Sequence, residues 1–561
     1  MRTSKTLLGL LALALIAPAW LACAQVAPRV ESLDVPAAPL AQPPARLDLQ
    51  LSPAPIERLV LGAPVQVNAF RFRGAHTVPE AELVRAVTPW TGRRLGTEEL
   101  AQAADALTGR LREMGLLVAQ AYVPRQEIRD GVVEIVVLEG RIGAIRLEVP
   151  EGARLSRAAA ERFLAALRPG DTLRRDNVEH HLLILNDLPG TRLGAALVTG
   201  SEPDTADLRI KLDDDGNPVT GSLTLDNAGL PAAGDYRADL NLRLRSPLGI
   251  GDLISVRVRQ SSSGGQTLGS LTYGLPVNGL GTRIGVRFVE QRYRISEEFT
   301  LLGLHGEQYS ASLLAGHPLI RRSDHNLTLG LSYSNIEFKD SIDVVAVANE
   351  TRHRVASVSL ASDFRDRLFG NAATALQAQL FSGRVLLLGP GAAAQDAAPG
   401  GLNVGGSFAM LRFRAERLQA IDGDSSVFFG IHGQIASKNL DAGPELVLGG
   451  PDAVRAYPVG ELYADQGFVA RIEYRRDIAL SSGSRTTLSA FVDQARVHIN
   501  RNPLRGDPSN KRGLGGYGLG LRHAIGEGVA IQSWFAWRTS EKSATAPERS
   551  PRVWVSVVTS F

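Results

Sequence analysis

Cysteine is almost absent: a single residue, Cys23, in a chain of 561. Such a chain cannot form an internal disulfide, although its N-terminus reads as a signal for export to a compartment where disulfides persist. Long hydrophobic runs are missing beyond the N-terminal segment, and none approaches the ~20 apolar residues that a spanning helix needs. A membrane form would have to be a closed barrel, the other way to satisfy every backbone group in lipid. An excess of one charge is also missing. The 61 basic and 58 acidic residues leave a formal net charge of +3 with no dense basic run, which argues against a nucleic-acid partner. No nucleophile stands beside a paired base, so an enzyme has little support and no cofactor is implied. Aromatics are scarce at 6 %, whereas glycine is plentiful at 57 residues.

What is present begins with a targeting segment. Arg2 and Lys5 precede an apolar run from Leu7 to Trp20, followed by Ala22-Cys23-Ala24, a small-residue site for signal peptidase. Residues 1–24 therefore read as a signal peptide. The rival is a lipoprotein acylated at Cys23; such a signal usually has Leu three residues earlier, where this chain has Trp20. Residues 25–66 carry eight prolines between Pro28 and Pro64, a density that denies a long helix and predicts an extended periplasmic linker.

Residues 67–214 contain an internal repeat. The first copy, residues 67–141, orders a strand at Phe70–Arg73, a short helix from Pro79, and a longer helix opened by Thr97-Glu98-Glu99-Leu100. Leu100, Ala103, Ala104, Leu107 and Leu111 recur at helical spacing, Gly115 lies just past the end, and strands follow at Val118–Val123 and Val132–Leu138. The second copy, residues 142–214, repeats the order with strands at Ile145–Val149, Arg192–Val198 and Ala206–Leu212 and helices at Ala158–Leu167 and Leu173–Leu188. Thr91-Gly92 with Leu95 aligns with Pro169-Gly170 with Leu173, an offset of roughly 78 residues, so this is a duplicated βααββ module.

From about residue 218 to 561 the period changes from 3.6 to 2. Leu240, Leu242 and Leu244 alternate with Asp239, Asn241, Arg243 and Arg245, and Phe468, Ala470, Ile472 and Tyr474 alternate with Val469, Arg471, Glu473 and Arg475. A soluble sandwich also alternates, but it must fill a core. Here the apolar face is thin and the other carries Arg, Asp, Gly and Ser, as when one face meets lipid and the other a wet lumen. About sixteen such runs are expected from Gly221 to Phe561, an even number. The predicted fold is thus a membrane β-barrel of about 16 antiparallel strands, preceded by two small α+β domains.

Several patterns weigh less than they first suggest. Gly513, Gly515 and Gly518 match a dinucleotide fingerprint, yet Tyr517, Leu519 and Leu521 alternate as a strand where a helix is required. The acidic run at Asp213 lacks the acid that a calcium loop needs at position 224, which is Thr224. His180 and His181 are adjacent on a helix, point apart and have no visible third ligand, so they read as helix-surface residues and no metal site is expected.

One segment resists the bland reading. Within a long loop at about residues 440–466 lies Leu448-Gly449-Gly450-Pro451-Asp452-Ala453-Val454-Arg455-Ala456-Tyr457. Its Gly-Gly-Pro turn lets the loop fold back, and Arg455 offers a planar fork suited to a carboxylate. A lumenal arginine needs a partner, because an unpaired desolvated charge is costly. Asp493 is the candidate, although it shares a strand face with Phe491 and Ala495, so its register is not a clean alternation. The alternative is an arginine simply solvated in an extracellular loop.

These features together resemble the two-partner secretion transporters (TpsB; the ShlB/FhaC/HecB haemolysin secretion and activation family) within the superfamily that includes BamA. Val454-Arg455-Ala456-Tyr457 look like the family's VRGY tetrad at the tip of an inward-folding loop, and Asp493 matches the aspartate of its xxDxG wall motif. Ala456 and Ala495 stand where that family has glycine. Asp226-Asn227-Ala228-Gly229 resembles the opening strand, and terminal Phe561 resembles the signal read by the barrel-assembly machinery. The resemblance implies two periplasmic POTRA modules and an outer-membrane conduit, set in outer-membrane lipid, for a large secreted TpsA-type exoprotein. It also implies periplasmic chaperones as partners in biogenesis. The modules are expected to capture the unfolded exoprotein by strand addition, at Ala119, Ala121 and Val123 of the middle strand of the first module with Leu107 and Leu111 nearby. The prolines from Pro28 onward leave little room for the plug helix that relatives often carry. The rivals are a barrel-assembly factor and a passive porin, the latter having no need of periplasmic modules.

Overall fold

The computed structural model describes residues 59–295, 301–481, 484–503, 508–526, 528–540, 542–543, 545 and 549–561. The expected signal peptide, Cys23, most of the linker and any plug segment lie outside the described residues.

The first module is built from β1 (Val65–Val67), β2 (Ala69–Arg73), α1 (Glu80–Val87), β3 (Arg93–Leu95), α2 (Thr97–Glu113), β4 (Gln120–Tyr122) and β5 (Val132–Leu138). Glu80 and Glu82 sit in the first turn of α1, where the helix dipole favours them. At the start of α2 the Glu99 carboxylate accepts from the Gly96 N–H at 2.8 Å, and Gly115 ends the helix at a φ of +95°. The apolar stripe Leu100, Ala103, Ala104, Leu107 and Leu111 is fully buried against the sheet. Two expectations need correction. The linker ends earlier than residue 66: Leu59 is buried, its N–H donates to Val123 C=O at 3.0 Å, and β1 pairs with β3. The strand carrying Ala121 is an edge strand, since the sheet order is β2-β5-β4.

The second module repeats the plan with β6 (Arg141–Glu148), α3 (Arg157–Leu164), α4 (Arg175–Asn186), β7 (Thr191–Thr199) and β8 (Thr205–Asp214), in sheet order β6-β8-β7. His181 corrects a further expectation: it is buried among Val178, Leu182 and Leu185 rather than lying on the helix surface. Backbone bonds tie the modules together, with Leu173 N–H donating to Gly140 C=O at 2.9 Å and Arg175 N–H to Gly115 C=O at 2.8 Å. The second module also docks on the barrel's periplasmic turns. Arg321 grips the Asp187 carboxylate at 2.6 and 2.8 Å just past the end of α4, and Arg283 donates to the Asp187 carbonyl at 2.8 Å, cations placed where the helix dipole is negative.

Sixteen antiparallel strands then close a barrel. They are β9 (Val219–Asp226), β10 (Arg237–Arg245), β11 (Leu253–Ser261), β12 (Gln266–Pro276), β13 (Arg283–Arg294), β14 (Leu304–Arg321), β15 (His325–Ile342), β16 (Val347–Asp366), β17 (Ala372–Leu387), β18 (Gly406–Ala420), β19 (Ser425–Ala436), β22 (Gln466–Ser481), β23 (Ser484–His498), β24 (Lys511–Ile525), β25 (Val529–Arg538) and β26 (Arg552–Ser560). A separate hairpin, β20 (Leu446–Leu448) with β21 (Leu462–Ala464), lies in the loop between β19 and β22. The surface is inside out relative to a soluble core. Leu313, Leu380, Val492 and Leu519 face outward and exposed, while Ser334, Ser357, Gln379 and Asp239 are buried on the lumenal side. On the lumenal face Arg257 and Arg259 both hold Asp239, on the face shared by Arg243.

Closure is thinnest at the seam, where β26 meets β9 over five residue pairs. Asn227 extends it with its side-chain amide, donating to Val553 C=O at 2.9 Å and accepting from Val555 N–H at 2.8 Å. Phe561 exchanges two backbone bonds with Gly221 at the opposite end.

Candidate functional site: an arginine clamp in the lumen

The chain between β19 and β22 leaves the end of the barrel opposite the modules and turns back inside. Gly449 and Gly450 adopt φ of +85° and +89°, a left-handed pair that reverses the chain after β20. The tip is closed by Gly450 N–H donating to Tyr457 C=O at 2.9 Å and Tyr457 N–H to Val454 C=O at 3.1 Å. Several walls hold the loop. His353 Nε2 meets Asp441 at 2.6 Å, Arg412 donates to Pro444 C=O at 2.9 Å, and the Asp465 carboxylate accepts from Leu440 and Arg501 N–H. Glu461 accepts from Ser543 and Thr545, and the Tyr457 hydroxyl lies 3.0 Å from that of Ser540.

This scaffold delivers Arg455 to the barrel wall with no exposed surface. Asp493 on β23 accepts three bonds from it: backbone N–H at 3.0 Å, Nε at 2.9 Å and Nη2 at 2.7 Å. Nη1 donates to Glu473 on β22 at 2.6 Å. The Arg455 carbonyl accepts from the Trp554 indole N–H at 2.7 Å, and its guanidinium lies 3.4 Å from the centre of the Phe491 ring. Arg455 is therefore bound on every side, and a pair this buried costs about 3–5 kcal/mol to break from one side. Arg471 and Arg475 border the clamp at 3.7 Å from Asp493 and 2.9 Å from Glu473.

The other tip residues pack. Val454 and Tyr457 are fully buried, and Ala456 rests on β24 at Gly516, where a Cβ would come within 2.5 Å of the Ala456 methyl. Gly518, further along the same inward face, leaves room for the Phe491 ring. Of the three glycines that mimic a nucleotide motif only Gly518 lies on this inward face; Gly513 and Gly515 stand opposite the outward Arg496 and Gln494. Ala495 is accommodated in the same apolar cluster with Val497 and Leu514. The register of β23 proves to be a clean alternation, contrary to expectation: Phe491, Asp493 and Ala495 face inward and Val492 outward. Phe491 is inward because it lies under Arg455.

The expected capture residues fall elsewhere. Ala119, Ala121, Val123, Leu107 and Leu111 are all buried inside the first module. The outer edge of β4 is covered too: Ala121 N–H donates to the Thr108 hydroxyl at 2.8 Å, Ala119 C=O accepts from Arg112 Nε at 3.1 Å, and Val123 C=O accepts from Leu59. Strand addition at that edge is blocked, because its bonding groups are taken. Sequence reasoning also missed Glu473, Phe491 and Trp554 as members of the clamp. The available signal for Glu473 was an acid flanked by Arg471 and Arg475 on a lumenal face.

Among the described residues no group of three or more His, Cys, Asp or Glu is placed to hold a metal ion. Residues 204–523 match the family model for haemolysin secretion/activation protein ShlB/FhaC/HecB, more than half of the chain. The chain belongs to that family. Residues 65–140 match the ShlB-type POTRA domain. The chain is 24% identical over 503 residues to the heme/hemopexin transporter protein HuxB of Haemophilus influenzae, covering 87% of this chain and 86% of HuxB. It is 25% identical over 328 residues to the outer membrane transporter CdiB of Escherichia coli, covering 55% and 52% of the two chains. The fold is similar to the solved structure of CdiB from Escherichia coli, with a TM-score of 0.72, 20% identity and 94% of each chain covered. As a member of this family the chain is an outer-membrane transporter that secretes a partner protein, with its POTRA modules in the periplasm.

Proposed function

We propose that the chain takes an unfolded TpsA-type exoprotein from the periplasm and passes it through the barrel, with the Arg455 loop as the gate. In this reading residues 1–24 are the leader, the proline-rich chain to about residue 58 is a tether, the two modules extend to Asp214, and residues 218–561 form the conduit. The observation that carries it is the burial of Arg455 between Asp493 and Glu473 at the tip of a loop that turns back into the lumen. A channel with a loop so anchored passes a chain only if the loop shifts, and a clamp of charged bonds can be exchanged for water or for cargo without loss of fold.

Capture falls to edges other than β4. β2 is the opposite edge of the first module's sheet, its side chains exposed or half-buried. Strand addition there reads backbone rather than side chains, which suits an extended client of unfixed sequence. No nucleotide or cofactor enters the scheme, and folding of the exoprotein outside supplies the driving force. Periplasmic chaperones and the barrel-assembly machinery act during biogenesis, the latter reading the terminal strand that ends in Phe561.

The test is Arg455→Ala, expressed with a partner exoprotein. The variant leaves a heat-modifiable barrel in the outer membrane and releases no exoprotein to the medium. Full secretion by a folded variant removes the gating role.

A further inference from the structure

The outer surface of the barrel carries a charge arrangement that the conduit does not use. Along β15 to β18 the register sets Asn335 opposite Arg354, Arg354 opposite Arg384, and Arg384 opposite Ser407. All four point away from the lumen, because their chain neighbours Ser334, Ile336, His353, Val355, Val385 and Phe408 are the buried, inward residues. Both arginines are exposed, and among the described residues neither has a carboxylate partner. The next outward rows toward the cell exterior are balanced: Arg352 binds Glu337 at 2.8 Å, and Lys339 stands opposite Glu350. Toward the periplasm the rows turn apolar, with Leu331, Val358 and Leu380 exposed.

Like charges directly opposed across an antiparallel pair are destabilising, and a charge on the lipid face costs more the deeper it lies. Depth follows from the strand. Arg354 and outward Phe364, near the periplasmic turn, are about ten residues apart; at roughly 3.3 Å per residue and a tilt of about 40° that is roughly 25 Å, the height of the apolar band. The row therefore lies at the outer-leaflet boundary, where polar headgroups begin. Two planar guanidinium groups side by side, flanked by an amide and a hydroxyl, match the charge and the several acceptor oxygens of a phosphate.

We propose that Arg354 and Arg384 bind the phosphorylated headgroup of an outer-leaflet glycolipid, with Asn335 and Ser407 as flanking donors. The phosphate bridges the two arginines and removes their repulsion. The acyl chains lie along Val358 and Leu380.

The full chain, delipidated in zwitterionic detergent, is mixed with diphosphorylated lipid A, with dephosphorylated lipid A, or with inorganic phosphate, and bound molecules are counted by native mass spectrometry. The phosphorylated lipid is expected to bind at least about tenfold tighter than the dephosphorylated one. The R354Q/R384Q variant, checked for folding by heat-modifiable migration, loses that preference. Equal binding of the two lipids by the unaltered protein overturns the proposal whether or not the variant folds. So does a folded double variant that keeps the full preference, or inorganic phosphate binding as tightly as the lipid.

Discussion

Replacing Gly516 by Ala tests the docking of the loop without touching a charge. Gly516 faces inward on β24, opposite Asp493 on β23, and an added Cβ would lie 2.5 Å from the Ala456 methyl and 3.1 Å from the Trp537 carbonyl oxygen. Carbon atoms in contact sit ~3.5–4.0 Å apart, so one side must move by about 1 Å. β24 is laddered to β23 along its whole length and to β25 from Gly516 onward, whereas the tip is held to the wall through side chains, so the tip gives way. Overpacking of this kind costs about 1–3 kcal/mol. That is roughly a 5- to 150-fold change in the ratio of docked to undocked loop. Ala456 adjoins Arg455, so the same displacement loosens the three bonds to Asp493. Gly516→Ala is therefore expected to cut secretion of a co-expressed exoprotein about tenfold and to open the loop to protease added outside the cell. Ala456→Gly removes the methyl that the new one strikes and installs the glycine of the family's tetrad, so alone it stays near the unaltered protein. Combined with Gly516→Ala it restores most of the secretion, less the contact at Trp537. A double variant no better than Gly516→Ala alone refutes the packing argument, as does a single variant with unchanged secretion and protease pattern.

Within the clamp, Asp493 takes three of the bonds from Arg455 and Glu473 takes one. Asp493→Asn is thus expected to impair secretion more than Glu473→Gln in the same assay, and the reverse order contradicts the assignment of Asp493 as the principal partner. His181 is buried in the second module, and burial lowers its pKa, with the neighbouring His180 adding to the effect. The folded state resists the proton that the unfolded chain accepts below about 6.5. Stability is accordingly full above that pH and falls as pH drops toward the folded value. Protection of the α4 amides, taken relative to the intrinsic exchange rate at each pH, should fall between neutral and mildly acid pH, and His181→Gln should flatten that dependence. At the seam, Asn227→Ala removes two hydrogen bonds to β26, each worth about 0.5–1.5 kcal/mol. The temperature at which the barrel loses its folded migration drops by several degrees, whereas the same change at Asn335 leaves it in place.

The barrel was legible because lipid outside and water inside impose a period of 2 that no single strand can evade, and sixteen runs read from Leu, Val and Phe against Ser, Gln and Arg became sixteen strands. The repeat was legible for a similar reason, since each module buries a helix stripe such as Leu100 to Leu111 whatever its neighbours do. Where the reading failed, the deciding contact lay far away in sequence. Alternation cannot show that the backbone groups at Ala119 and Ala121 are bonded by Arg112 and Thr108 across a helix, so an edge that looks free is closed. Small alternating residues beside a helix are a core pattern first, and their burial removes them as a docking face. Phe491 shows the converse error. An aromatic on a polar lumenal face looked like a slipped register, yet its ring is the floor on which the Arg455 guanidinium sits. Trp554 reaches the Arg455 carbonyl only because β26 closes on β9, and no local pattern could join residues so distant. The same reasoning explains why the two departures from the family tetrad and wall motif are compatible with a closed clamp. The Ala456 methyl is received by a glycine on β24, and Ala495 by Val497 and Leu514, so each extra methyl is matched by space or apolar surface supplied from another strand.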